Sequence, residues 1–182
     1  MSSKKIISEA KIAISGKSGC GNSTVSKLLA DTLGLRFINF TFRSIAEEKG
    51  IDLKKVIELA AGDDSWDQEV DRRQVAMARE GGGCVLGSRL AIWMLQEADL
   101  KVFLTASSMA RAGRIHEREG GDLQKIAEFT DYRDKQDRER YIRIYGIDND
   151  DYSIADIVID TGDKNPEQIK DIIIAELERK LA

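Results

Sequence analysis

The chain has 182 residues, 42% of them hydrophobic and 33% charged, with a net charge of −4 at pH 7. That length supports one full hydrophobic core and falls short of two ordinary domains. The acidic balance argues against a general nucleic-acid binder, and no apolar run is long enough for a membrane span.

The start, Met1-Ser2-Ser3-Lys4-Lys5, is polar and lacks the apolar region of a signal peptide, so a cytoplasmic protein is expected. Cys20 and Cys84 have no metal-ligand spacing and read as free thiols in a reducing compartment.

The first predicted strand covers 10–15 and includes Ile12-Ala13-Ile14-Ser15. An amphipathic helix follows, with Val25, Leu28, Leu29 and Leu33 on one face. Between them lies Gly16-Lys17-Ser18-Gly19-Cys20-Gly21-Asn22-Ser23-Thr24. Gly16, four residues, Gly21 and then Ser23 is the spacing of a P-loop. Glycines let the backbone turn tightly with its N–H groups inward. Those donors and the positive end of the following helix hold phosphate oxygens. The Ser23 hydroxyl stands where Mg²⁺ needs an oxygen ligand. One residue departs from the pattern: the position of the usual lysine is Asn22, an amide dipole instead of a charge. Lys17 is the candidate for the missing charge, with a solvated loop lysine as the alternative. Two other readings of the loop are weaker. One is an ordinary glycine turn; the other, a dinucleotide-binding loop, lacks its third glycine because Thr24 stands there.

After Gly34 a second strand is expected at 36–39. Thr41 to Glu48 reads as a helix stopped by Gly50, and Asp52 caps a further helix with Leu53, Val56, Ile57 and Ala60 on one face. Gly62-Asp63-Asp64 breaks it. A longer helix from Ser65 has Trp66, Val70 and Met77 as apolar marks and carries Asp71-Arg72-Arg73-Gln74. Residues 40–80 thus form a helical insert longer than one crossover needs. Such an insert builds a substrate site or adds packing helices.

Gly81-Gly82-Gly83 leads into a strand at 83–87, followed by Gly87-Ser88-Arg89. An arginine just past the C-terminal end of a parallel strand lies where α/β sheets bind ligands. Leu90 to Gln96 reads as a short buried helix with Trp93 in the core, and 100–105 as the next strand. Ser107 or Ser108 caps a helix with Met109, Ala112 and Ile115; the single histidine, His116, falls on its charged face as a surface residue. Gly120-Gly121 is a hinge-like break. Asp122 then caps a long helix to Tyr145, stopped by Gly146 in a left-handed conformation. A charged helix–hinge–helix late in a P-loop chain reads as a lid over phosphates.

Arg111, Arg114, Arg118, Arg133, Arg138, Arg140 and Arg143 crowd this third of the chain, which points to a small anionic ligand. For most of them surface pairing with Glu117, Glu119, Asp134, Asp137 and Glu139 is the simpler reading. The last strand is expected at 155–160. Asn165 caps and Pro166 starts a final helix with Ile169, Ile172, Ile173, Leu177 and Leu181 inward. Strands alternating with helices predict a five-stranded parallel sheet covered on both faces.

Taken nearly end to end, from about Ala10 to Ala175, the chain resembles the nucleoside monophosphate kinases and is most similar to short, archaeal-type cytidylate kinases. The residues carrying the resemblance are Phe42-Arg43, Asp71-Arg72-Arg73-Gln74, Arg89-Leu90-Ala91-Ile92-Trp93-Met94, Ala98-Asp99-Leu100-Lys101, Arg140-Tyr141, Tyr145-Gly146-Ile147-Asp148 and Asp156-Ile157-Val158-Ile159-Asp160-Thr161. Archaeal members of that family tend to carry threonine in place of the loop lysine. The resemblance implies a single-domain, three-layer α/β P-loop NTPase fold. Its core would be 1–39, 81–118 and 147–182, its monophosphate-binding insert 40–80 and its arginine-rich lid 119–146.

The implied activity is transfer of the γ-phosphoryl of ATP to CMP or dCMP with Mg²⁺, by a monomer whose partners are small nucleotides. Arg43 and Arg89 match arginines that grip the monophosphate, with Asp71 and Arg72 beside them in the insert. Arg133, Asp137 and Arg140 match lid residues that bridge both nucleotides, and Lys17 joins them as a catalytic candidate. Two departures bear on the acceptor. The family's Ser-Ala-Gly-Asp before the insert arginine is shortened to Asn39-Phe40-Thr41, and a glutamate before Arg89 is replaced in Gly87-Ser88. The alternatives are a nucleotide-binding regulatory module with a degenerate loop, or a P-loop kinase with another small-molecule acceptor.

Overall fold

Three short inner strands buried on both faces, flanked by two edge strands that are more exposed, carry the architecture. In the computed structural model, which describes residues 7–182, these are β1 (Lys11–Gly16), β2 (Arg36–Ile38), β3 (Cys84–Gly87), β4 (Leu100–Thr105) and β5 (Ile157–Asp160). The polar start Met1-Ser2-Ser3-Lys4-Lys5 lies outside the described residues. All pairings are parallel, and the sheet order is β2-β3-β1-β4-β5. Central β1 pairs Ile14 with Gly87 on one side and with Val102 on the other. It reads as a continuous apolar run because helices cover both faces.

On one face Ile12, Ile14, Val102 and Leu104 pack with Val25, Leu29, Ile169, Ile173 and Leu177. These come from α1 (Asn22–Leu33) and the final helix α8 (Pro166–Leu181). On the other face Ala13, Leu86 and Phe103 meet Ala78, Ile92 and Leu95, on and beside α4 (Ser65–Arg79) and the short α5 (Ala91–Met94). Burying each such Leu or Ile contributes about 1.5–3 kcal/mol. The result is the three-layer α/β arrangement with a five-stranded parallel sheet expected from the sequence.

The helix boundaries follow local chemistry. Ser107, Asp122 and Asn165 side chains accept from backbone N–H groups in the first turns of α6 (Ser108–Glu119), α7 (Leu123–Tyr145) and α8. Gly34, Gly50 and Gly146 end α1, α2 (Phe42–Lys49) and α7 in left-handed conformations, where glycine avoids a Cβ clash. Among the described residues no helix is long and apolar enough to cross a membrane.

The insert departs from its predicted packing. In α3 (Leu53–Ala60) only Val56 is buried, while Ile57 and Leu59 are exposed. That helix lies on the outside and presents a narrow stripe to its neighbours. In α4 the buried side chains are Gln74 and Ala78 instead of Trp66, Val70 and Met77, which are half-buried. Gln74 faces inward because its Nε2 donates to the Phe40 carbonyl at 2.6 Å, satisfying the chain where it leaves β2. On α6, Met109 is 51% exposed, whereas Ala112 is buried.

Candidate active site

The loop Gly16–Thr24 leaves the C-terminal end of β1 and curls into α1. Gly19 and Gly21 have φ of 83° and 91°, a backbone that a side chain would strain. A Cβ on Gly19 would also lie 2.9 Å from the Arg111 Cβ. No side chain caps α1, so its first N–H groups stay available to an anion. Ser23 and Thr24 are exposed at this end of the helix. The loop's outward carbonyls are held by arginines. Arg111 Nη1 donates to Ser18 O at 3.2 Å, and Arg114 Nη1 to Gly19 O at 3.1 Å. Thr161, fully buried after β5, lies 3.1 Å from the Cys20 carbonyl through its Oγ1. Cys20 N turns back to Lys17 O at 3.1 Å, while the amides at the start of α1 carry no side-chain cap.

Asn22 does not extend toward this nest. Its Nδ2 donates to Ser88 O at 3.2 Å, and its Oδ1 accepts from Ser26 Oγ at 3.1 Å. Lys17 Nζ stands 2.6 Å from Asp150. It lines a cavity of about 330 Å³ that also meets Cys20, Phe103, Thr105, Arg111 and Tyr152. Burial pushes the Cys20 thiol up, which keeps it protonated beside the loop.

A second constellation lies at the end of β3. Arg89 forms an ion pair with Asp137 on α7, and Arg140 Nη2 reaches the same carboxylate at 3.0 Å. Arg140 also stands 3.4 Å from Asp67 on α4. Loss of solvent, then the nearby Arg89, presses the Arg133 guanidinium below the ordinary arginine range. Arg89 and Arg140 thus share the Asp137 carboxylate, with the Arg133 guanidinium close enough to feel Arg89. The insert and the long helix are tied further by Arg143–Asp64 at 2.7 Å and by Tyr145 Oη donating to Asp71 at 2.6 Å. Burial pushes the Asp71 carboxyl up to about 6, and burial raises Asp67 as well. For Tyr145, burial and then the hydrogen bond to Asp71 push the hydroxyl up.

A family model described as "Cytidylate kinase-like family" matches residues 11–163, a span that runs from β1 through the phosphate loop, the insert and α7 to the turn after β5. The chain belongs to the cytidylate kinase-like family. Cytidylate kinase 2 of Borreliella afzelii is 44% identical over 93% of this chain and 97% of its own length. The cytidylate kinase of Pyrococcus horikoshii is 40% identical over 92% of this chain and 88% of its own. Among solved structures, shikimate kinase from Acinetobacter baumannii superposes with a TM-score of 0.66 at 16% identity, covering 100% of both chains. That likeness shows the shared fold.

Against this family background the expected site residues divide into two sets. Gly16 to Thr24 form one continuous nest, and Arg89, Arg133, Asp137 and Arg140 gather at the neighbouring strand end. Asp71 lies in the adjoining wall, bonded to Tyr145. Two residues are not drawn in. Arg43 is exposed on the first turn of α2, and Arg72 turns to Glu69, 2.7 Å away on its own helix.

The sequence placed Arg111 and Arg114 only in the arginine cluster and Tyr145 and Thr161 among the residues carrying the resemblance, and it gave no role to Asp67 or Asp150. Arg111 carried a signal: it adjoins Ala112 on the inner face of α6, where a surface arginine does not belong. It is 5% exposed, paired with Asp134 at 2.6 Å.

Proposed function

We propose that this protein transfers the γ-phosphoryl group of ATP to CMP or dCMP, giving ADP and the corresponding diphosphate. One observation carries the reading. The phosphate loop and the Arg89 loop leave adjacent parallel strands, β1 and β3, and are joined by the Asn22–Ser88 hydrogen bond. A triphosphate on the first and a monophosphate on the second would meet end to end.

Phosphoryl transfer asks little covalent chemistry of a protein. It needs in-line placement and neutralisation of charge on the moving group. The amides of residues 19–24 would hold the β- and γ-phosphates, with Lys17 leaving Asp150 to add its charge. Arg89 would grip the acceptor phosphate through its planar fork, which binds two oxygens at once. An acceptor oxygen then attacks the γ-phosphorus as the bond to ADP breaks. Arg133 and Arg140 would take up charge on the equatorial oxygens, and Asp137 would hold Arg89 and Arg140 in register. Arg43, Asp71 and Arg72 of the insert would border the acceptor. Closure of α7 at Gly120-Gly121 would exclude water, which otherwise hydrolyses ATP.

The site fits Mg²⁺ as such kinases use it. The exposed Ser23 hydroxyl at the start of α1 would supply a protein oxygen, and no cluster of three acidic or metal-ligating side chains forms a cage among the described residues. That donor set suits an ion held mainly by phosphate oxygens and water. When bound, Mg²⁺ supplies charge neutralisation on the phosphates. We place the enzyme in the cytoplasm, working as a monomer on free nucleotides.

The test is an acceptor screen by coupled ADP release, with ATP, Mg²⁺ and each of CMP, dCMP, UMP, AMP and GMP. Turnover with CMP or dCMP is expected. Its absence with both would overturn the proposal.

A further inference from the structure

Asn22 occupies the position at which a P-loop carries its phosphate-binding lysine, and three observations show what it does instead. Its Nδ2 donates to the Ser88 carbonyl at 3.2 Å, one residue before Arg89. Its Oδ1 accepts from Ser26 Oγ at 3.1 Å, which fixes the amide's orientation one helical turn along. Gly87 leaves the room this needs. A Cβ there would press into Ser26 Oγ and lie 2.8 Å from Ser26 Cβ and 3.0 Å from Asn22 Oδ1. Any side chain at 87, glutamate included, competes with the Asn22–Ser26 pair for the same space. Position 22 and position 87 are therefore one device, not two separate losses.

The carbonyl that Asn22 engages belongs to a residue held from the other side as well. Ser88 N donates to Ile14 O at 3.1 Å, at the end of β1. The Ser88 backbone, which leads directly into Arg89, is thus pinned between the strand beneath it and the first residue of the phosphate-loop helix. Arg89 in turn pairs with Asp137 on α7.

We infer that Asn22 is a positioning residue that couples the phosphate loop to Arg89 through Ser88, while the charge a P-loop normally carries at this position is supplied from elsewhere in the site. The inference rests on the kinase reading given above. It implies that lysine at 22 would not repair the loop. Lysine has no acceptor for Ser26, cannot reproduce the bond to Ser88 with the same short reach, and would release the Arg89 turn.

The test uses the full-length protein in two arms, with thermal unfolding of each variant as a check on folding. The first arm measures binding of a non-hydrolysable ATP analogue with Mg²⁺ by calorimetry, without acceptor. Asn22→Lys and Asn22→Ala both keep the backbone amide of residue 22 that the nest uses and change only its side chain, so both are expected to bind within about threefold of the parent. Tightening by tenfold or more in Asn22→Lys would overturn the inference, since position 22 would then be a vacant lysine site.

The second arm measures CMP turnover. Loss of one oriented hydrogen bond is expected to raise the KM for CMP about tenfold in both variants, with the ATP-analogue affinity kept. An unchanged KM for CMP in Asn22→Ala overturns it. Ser26→Ala, which removes only the group orienting the amide, is expected to raise the KM for CMP about threefold and serves if the Asn22 variants unfold. A parent protein that turns over no CMP overturns the acceptor assignment alone, because the first arm reads position 22 without an acceptor.

Discussion

Arg111→Met is the perturbation whose cost follows most directly from the structure. The Arg111 and Asp134 side chains are 6% and 10% exposed and stand 2.6 Å apart. Arg111 also donates to the Ser18 carbonyl of the phosphate loop. Methionine keeps the apolar stem against Gly19 and removes the charge, leaving Asp134 buried and unpaired. Breaking a buried pair from one side costs about 3–5 kcal/mol. At about 2–4 °C per kcal/mol for a chain of this size, Tm should fall by about 6–20 °C. Removing both charges in Arg111→Met/Asp134→Leu should recover most of that loss, because no uncompensated charge then remains. Equilibrium unfolding in urea at pH 7.5 measures all three proteins. A single variant within about 1 kcal/mol of the parent, or a double variant no more stable than the single, would refute the reasoning.

Other expectations concern catalysis and pH. Arg89→Ala should lose two charge-assisted bonds to the acceptor phosphate, worth roughly 1.5–3 kcal/mol each. Since about 1.4 kcal/mol is tenfold, kcat/KM for CMP should fall about a hundredfold to ten-thousandfold; steady-state kinetics showing near-normal turnover would sink its role. Lys17→Met removes a half-exposed ion pair with Asp150, so stability should change by less than about 1 kcal/mol. Phosphoryl transfer should nonetheless slow about tenfold or more, and an unchanged kcat with unchanged ATP affinity would exclude Lys17 from the phosphates.

Asp71 carries a pH signature. Its carboxyl titrates at about 6 when folded and at 3.8 in its ordinary setting. The native state therefore holds its proton more tightly, and stability is highest below the lower value and falls as pH rises through this window. The full shift corresponds to a ceiling of about 3 kcal/mol. Asp71→Asn should flatten the fall in Tm between pH 4 and pH 6.5; an identical profile would contradict the buried, raised carboxyl.

The layers of the fold were legible because each local signal agreed with its neighbours. β1 reads as an unbroken apolar run, Ser107, Asp122 and Asn165 sit where caps belong, and Gly34, Gly50 and Gly146 supply the left-handed stops. The phosphate loop was legible for the same reason: its glycines stand at fixed offsets between a strand and a helix. The insert was harder. Ile57 fits the apolar period of α3 yet points outward, since periodicity reports a face but not whether another element covers it. Gln74 turns inward for a carbonyl 34 positions away in sequence, which no local pattern encodes.

The long-range pairings were invisible for the same reason. Arg111 with Ser18, Lys17 with Asp150 and Tyr145 with Asp71 each join segments that only the folded sheet brings together. Asn22 shows the difference most clearly. As a letter it is a missing lysine; in three dimensions it is bonded on both sides of its amide.

A crystal structure with cytidine and adenosine joined through a chain of phosphates, in the presence of Mg²⁺, tests the central claim most directly. The account predicts phosphate oxygens seated against the amides of residues 19–24, with the cytidine-side phosphate in the fork of Arg89 and Arg133 and Arg140 turned onto the bridge. Phosphates bound away from those amides, or a cytidine-side phosphate held without Arg89, would contradict it.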